Sequence, residues 1–114
     1  MALSELDTND LEDQCIDNCF EAVQACEYCA DECLDEEMDM SRCIRLCRDV
    51  ADLASQHARF MARSSDYSVD LAEATAEAAE ECADECRSHD HDHCQTCADV
   101  LDDCAETCRE MMQQ

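Results

Sequence analysis

The stretch CIDNCFEAVQACEYCADEC, residues 15–33, holds five cysteines, and their spacing decides how the chain folds. At about 100° per residue, Cys15, Cys19, Cys26, Cys29 and Cys33 fall within one helical stripe roughly 80° wide. A helix here puts every thiol on one face.

The pattern recurs along the chain. Polar clusters at 35–41, 64–68 and 88–92 divide it into four segments, predicted as helices over roughly 8–35, 40–63, 67–88 and 92–112. Cap candidates are Asp7, Thr8 or Asn9 for the first, Asp39 or Ser41 for the second, Asp66 or Ser68 for the third, and Asp90 or Asp92 for the fourth. On the second segment Cys43, Cys47, Val50, Ala54, His57 and Met61 share a stripe, and on the third Leu71, Thr75, Ala78, Cys82, Cys86 and His89. The fourth aligns Cys94, Cys97, Cys104 and Cys108 around Leu101. Four such stripes with Asp, Glu and Arg opposite imply one all-α domain over 1–114, an antiparallel up-down-up-down four-helix bundle with a cysteine-lined interior.

Composition agrees. The 114 residues include no Gly and no Pro, so few positions suit tight turns or a positive φ. Leu, Ile, Val and Phe together number only 16, too few for an ordinary core, and the 13 cysteines are the obvious substitute. Asp and Glu total 31 against seven Arg and no Lys, a net charge of −24 that repels nucleic acid and anionic membranes. Such acidity without lysine is what a host with a molar-salt cytoplasm selects, so a halophilic source is expected.

The opening MALSELDTND carries no signal-peptide pattern and no apolar run reaches membrane length, so a cytoplasmic protein is expected. Cytosol keeps thiols reduced, and an odd number of cysteines cannot all pair within the chain. Metal binding gains weight from both. Five CxxxC pairs occur: Cys15/Cys19, Cys29/Cys33, Cys43/Cys47, Cys82/Cys86 and Cys104/Cys108. At i and i+4 the Cβ atoms are about 5–6 Å apart, a gap that a metal bridges more readily than a disulfide.

Soft thiolates select Cu(I), Zn or iron–sulfur clusters. Zinc wants a closed tetrahedral set, iron–sulfur ligation draws on Gly- and Pro-containing loops absent here, and a row of shared sulfurs suits many Cu(I) ions. In CADECRSHDHDHCQTC (82–97), Cys94-x-x-Cys97 alone is a weak zinc or redox signal and reads better as a continuing stripe. One end of the bundle then gathers Cys29, Cys33, Cys43, Cys47, Cys82, Cys86, Cys94 and Cys97 under Met38, Met40 and three histidines, and the other gathers Cys15, Cys19, Cys104 and Cys108 beside His57. Candidate ligands beyond the thiols are His57 on its interior stripe, His89, which shares the stripe of Cys86, and His93, with His91 facing solvent. Met38 and Met40 could hold incoming Cu(I) weakly, whereas Met61, Met111 and Met112 read as core.

With these motifs in place, the sequence resembles the cysteine-rich four-helix-bundle copper storage proteins, in their cytosolic branch. The resemblance spans nearly the whole chain and is strongest in CIRLCRDVADL (43–53), ARFMARSS (58–65) and CADECRSHDHDHCQTCADVLDDCAETCREM (82–111). It implies Cu(I) ligation by all 13 cysteines, uptake past Met38, Met40, His89 and His93, and a homotetramer. Copper chaperones or exporters would be its partners. Val50, Ala54, Ala78 and Leu101 stand where relatives often carry further cysteines, so fewer ions at mid-bundle, or two clusters, are expected.

The leading expectation is a non-enzymatic store of multiple Cu(I) ions. Its rivals are a helical protein stapled by CxxxC disulfides and a zinc or soft-metal buffer of the metallothionein kind. No interior Glu-x-x-His pair supports a di-iron enzyme.

Overall fold

The computed structural model describes residues 1–6 and 8–114. A short 3₁₀ turn at Leu3–Glu5 leads to four helices: α1 (Asp10–Cys33), α2 (Ser41–Ala62), α3 (Ser68–Arg87) and α4 (Asp92–Met112). Helix α1 starts at Asp10 because the Asn9 side chain accepts a hydrogen bond from the Glu12 amide at 3.0 Å, leaving Thr8 outside the helix. Asp7, the other cap candidate, lies outside the described residues. Asp39 accepts from the Ser41 amide at 3.0 Å, but the cap positions of α2, α3 and α4 belong to Met40, Tyr67 and His91, none of which caps through its side chain. Those three starts are held by tertiary packing more than by local capping.

Without glycine, the α2–α3 turn places Ser64 at φ 52. The Ser65 amide donates to the Phe60 carbonyl at 2.9 Å and the Ser64 amide to the Met61 carbonyl at 3.0 Å, the paired bonds of a Schellman ending that normally uses glycine.

Helix α1 lies against α2 and α4, and α3 against α2 and α4. Among the described residues the backbones of diagonal helices stay apart and only interior side chains reach across, so the four stripes face a shared interior in an up-down-up-down bundle. All 13 cysteines are buried and unpaired by disulfides, accompanied mostly by alanines. On α3 the buried face is Ala72, Thr75, Ala76, Ala79, Cys82, Ala83 and Cys86, with Leu71 and Ala78 only half-buried. The alanines fill the interior face of α3, Leu71 sits at its edge, and His89 lies beyond the helix end at Arg87.

Arginines clip the outside. Arg42 on α2 reaches Glu81 at 2.7 Å and Glu85 at 3.2 Å on α3, Arg109 on α4 reaches Glu80 at 2.7 Å, and Arg87 pairs with Asp99 and Asp102. These exposed pairs contribute little to stability individually.

Candidate metal centre

The interior sulfurs form two groups. At the end where the α1–α2 and α3–α4 connections lie, nine thiols are linked in a chain of close contacts. Cys33 lies 3.8 Å from Cys43, Cys43 3.7 Å from Cys86, Cys86 3.9 Å from Cys82, and Cys82 3.6 Å from Cys47. Cys29 touches Cys33 and Cys94 at 3.9 Å, and Cys26 touches Cys97 at 3.8 Å. The sets Cys29/Cys43/Cys47/Cys86, Cys29/Cys33/Cys43/Cys94 and Cys26/Cys47/Cys82 each fall within 4.8 Å, and they share members. Sulfurs with several near neighbours are what bridged Cu(I) thiolate chemistry requires.

Three histidines fence this end in a stack, His89 to His91 at 6.4 Å between ring centroids and His91 to His93 at 5.3 Å. His93 reaches inward, its Nε2 3.6 Å from the Cys33 sulfur. His89 turns its Nε2 to the Glu85 carboxylate at 2.8 Å, away from any thiol. His91, expected to face solvent, is half-buried in the stack, with its Nε2 3.4 Å from Glu36, an ion-pair distance without hydrogen-bond alignment. No helical projection could show this, because His89 and His91 lie in the α3–α4 connection and His93 in the first turn of α4, so no single helix carries all three. Met40 is buried at the start of α2, whereas Met38 is exposed in the preceding loop. A cleft of about 330 Å³ between α1 and α4 also brings Tyr28, Asp92 and Thr96 beside His93 and Cys97.

The second group sits at the opposite end. Cys15 lies 3.9 Å from Cys108, Cys19 4.0 Å from Cys104, and His57 turns Nδ1 to Cys19 at 3.5 Å and to Cys108 at 3.6 Å. Cys19 to Cys26, like Cys97 to Cys104, is seven residues, so about 10 Å of helix axis separates the groups. Buried Ala22, Val50, Ala54 and Leu101 fill that interval. Sequence reading overlooked Thr107 here: its buried hydroxyl donates to the Cys104 carbonyl at 3.2 Å and accepts from the Asn18 amide at 3.3 Å. Its only sequence signal is its position next to Cys108.

Burial raises each thiol, and hydrogen bonds among neighbours decide which sulfur carries charge. Burial pushes Cys33 and Cys94 up. Hydrogen bonding with Cys108 pulls Cys15 down to about 3 and Cys104 to about 5, while bonding with Cys104 pushes Cys19 and Cys108 up. Apo protein thus ionises only part of its thiols, and a cation brought inside lets the rest deprotonate. Burial also holds His57 below its ordinary value of 6.5, which keeps the imidazole neutral and able to ligate.

A four-helix bundle whose interior consists of converging thiols with imidazole at both ends is a container for soft metal ions. The chain belongs to the copper storage protein family, whose sequence profile matches residues 8–113. The uncharacterized cysteine-rich protein YhjQ of Bacillus subtilis (strain 168) is 39% identical over 86 residues, covering 74% of this chain and 80% of that protein. The Cu(I)-bound copper storage protein BsCsp3 of Bacillus subtilis superposes with a TM-score of 0.86 at 37% identity, over 90% of this chain and 99% of that one. A cytosolic copper storage protein of Streptomyces lividans carrying five coppers superposes with a TM-score of 0.88 at 33% identity, over 92% of this chain and 94% of that one. No helix of the described residues is long and apolar enough to cross a membrane.

Proposed function

We propose that this chain, as a single domain over 1–114, stores multiple Cu(I) ions in the cytoplasm, without catalysis, through the thiolates of Cys15, Cys19, Cys26, Cys29, Cys33, Cys43, Cys47, Cys82, Cys86, Cys94, Cys97, Cys104 and Cys108. The observation that carries the reading is the cluster of nine sulfurs, seven linked by contacts of 3.6–4.0 Å and the Cys26–Cys97 pair joined to them where Cys26 lies within 4.8 Å of Cys47 and Cys82, which lets neighbouring ions share ligands. His93 and His57 supply imidazole at the two ends. Met38 and Met40 mark the route inward, and His89 serves that route from its pairing with Glu85. Exposed Phe20 and Tyr28 on α1 support association between copies, a homotetramer by family likeness, and copper chaperones or exporters would deliver and withdraw the cargo. The acidic surface matches a halophilic host.

The test is an anaerobic Cu(I) titration of reduced protein in molar KCl against a tight Cu(I) chelator, repeated with zinc present. Uptake of many ions per chain, undiminished by zinc, is expected. Uptake of one or two would overturn copper storage, and a low count of free thiols in protein taken anaerobically from cells would favour disulfide stapling instead.

A further inference from the structure

We infer that the four-thiol end of the bundle has its own side entrance for Cu(I), at the point between α1 and α4 where Asn18 meets Thr107. The inference rests on the copper-storage reading and adds a second route to the one past His93. Its ground is the isolation of the two thiol groups. Buried Ala22, Val50, Ala54 and Leu101 fill the interval of about 10 Å between them, and among the described residues no donor side chain bridges it. Within a group, sulfurs 3.6–4.0 Å apart let an ion pass from one to the next. Across the close-packed interval a cation would have to travel without ligands through apolar surroundings, which is strongly disfavoured. Copper bound at Cys15, Cys19, Cys104 and Cys108 therefore needs a way in that does not begin at the histidine stack.

The seam between α1 and α4 offers one. At the level of these four thiols it carries a cleft of about 250 Å³ lined by Gln14, Asn18, Asp103, Glu106, Thr107 and Glu110. Three carboxylates and no basic side chain line it, so a cation is drawn in. Its floor is Thr107, only 4% exposed. The Asn18 amide closes it, donating to the Thr107 hydroxyl at 3.3 Å and to the Asp103 carbonyl at 3.4 Å. Asn18 precedes Cys19 and Thr107 precedes Cys108, so each of the two residues that meet across the seam adjoins a thiol behind it. The contact extends to the sulfurs: Cys108 and then Cys19 hold the Cys15 thiol low by hydrogen bonding, and the Thr107 hydroxyl adds to them. Other approaches are shut. At the same level α2 and α3 present buried Ala58, Met61, Ala72 and Ala76, and Met111 and Met112 pack against the core at the axial end. Turning the Asn18 side chain aside breaks two long hydrogen bonds, so the seam opens at small cost. Each thiol that takes copper gives up its proton, which leaves to water in the cleft.

The experiment loads reduced protein anaerobically with Cu(I) in molar KCl, adds an excess of a tight Cu(I) chelator, and follows the amide NMR signals of residues 104–108 and 82–86 as copper leaves. Exit reports entry, because microscopic reversibility gives both the same path, and the salt screens the protein's negative charge from the chelator. Asn18→Leu places an apolar plug in the cleft. It should load as much copper as the parent, yet residues 104–108 should lose it roughly tenfold more slowly, the effect of removing one or two polar contacts from the path, while residues 82–86 keep the parent's rate. Thr107→Val removes only the hydroxyl and should slow the same signals; it carries the test if far-UV circular dichroism shows Asn18→Leu unfolded. Val50→Cys with Leu101→Cys, added to Asn18→Leu, should restore fast release by bridging the interval. Parent-like release from residues 104–108 in both blocked variants, a lowered copper capacity at that end, or a parent whose residues 104–108 empty only after residues 82–86 would each overturn the entrance and leave storage standing. A parent protein that takes up only one or two ions overturns storage, and the entrance with it.

Discussion

His57 shows how one residue couples interior chemistry to solution conditions. Its burial holds the folded-state pKa below the ordinary 6.5, so between those values the unfolded chain binds the proton that the folded chain refuses. Apo stability is then full above pH 6.5 and declines as pH falls through that value toward the lower folded pKa. Melting temperatures of apo protein from about pH 7.5 to about pH 5.5 should fall for the parent and fall less for His57→Asn, which cannot take up the proton. Leu101 makes a second residue-scale case. It is the largest fully buried aliphatic side chain, and Leu101→Ala should cost about 2–5 kcal/mol in denaturant unfolding, because the surrounding alanines have little reach with which to close the cavity.

At the scale of the element, helix ends carry the backbone strain. Ser64 occupies a left-handed position at the close of α2, where a Cβ costs about 1–2 kcal/mol and glycine escapes most of that. Ser64→Gly should therefore raise apo stability by about 1 kcal/mol, read as a higher melting temperature. Asn9→Ala, which removes the one side-chain cap among the four α-helix starts, should lower it by about 1 kcal/mol. The helices and their cysteine faces were legible from spacing, since 3.6-residue periodicity survives any packing detail. The face of α3 was legible only in part. Its two cysteines were placed correctly, but alanine and leucine compete for the interior there, and packing against α2 and α4 chose alanine.

Across the whole molecule, thiols take the place of an aliphatic core, so metal binding and folding are coupled. A ligand that binds only the folded state stabilises it by mass action. Copper loading in molar KCl should raise the melting temperature, and a melt unchanged by loading would count against that coupling. The interval between the two thiol groups makes a further prediction. Val50→Cys combined with Leu101→Cys adds sulfur to that interval, and copper uptake per chain should exceed the parent's, whereas Val50→Ser with Leu101→Ser should not.

What the sequence determined by itself was the bundle, the inward thiols and the soft-metal chemistry, because each depends on local spacing and residue type. Even the division of the sulfurs was foreshadowed by Val50, Ala54 and Leu101 standing among the cysteines. Only the tertiary structure decided which sulfurs of different helices touch, that His93 reaches Cys33 while His89 turns to Glu85, and that His57 Nδ1 meets Cys19 and Cys108. Those contacts join different helices at separations of 10 to 93 positions, or lie at a connection between helices, and helical periodicity carries no information about either. They are set by how the four helices are rotated against one another, which is a property of their joint packing.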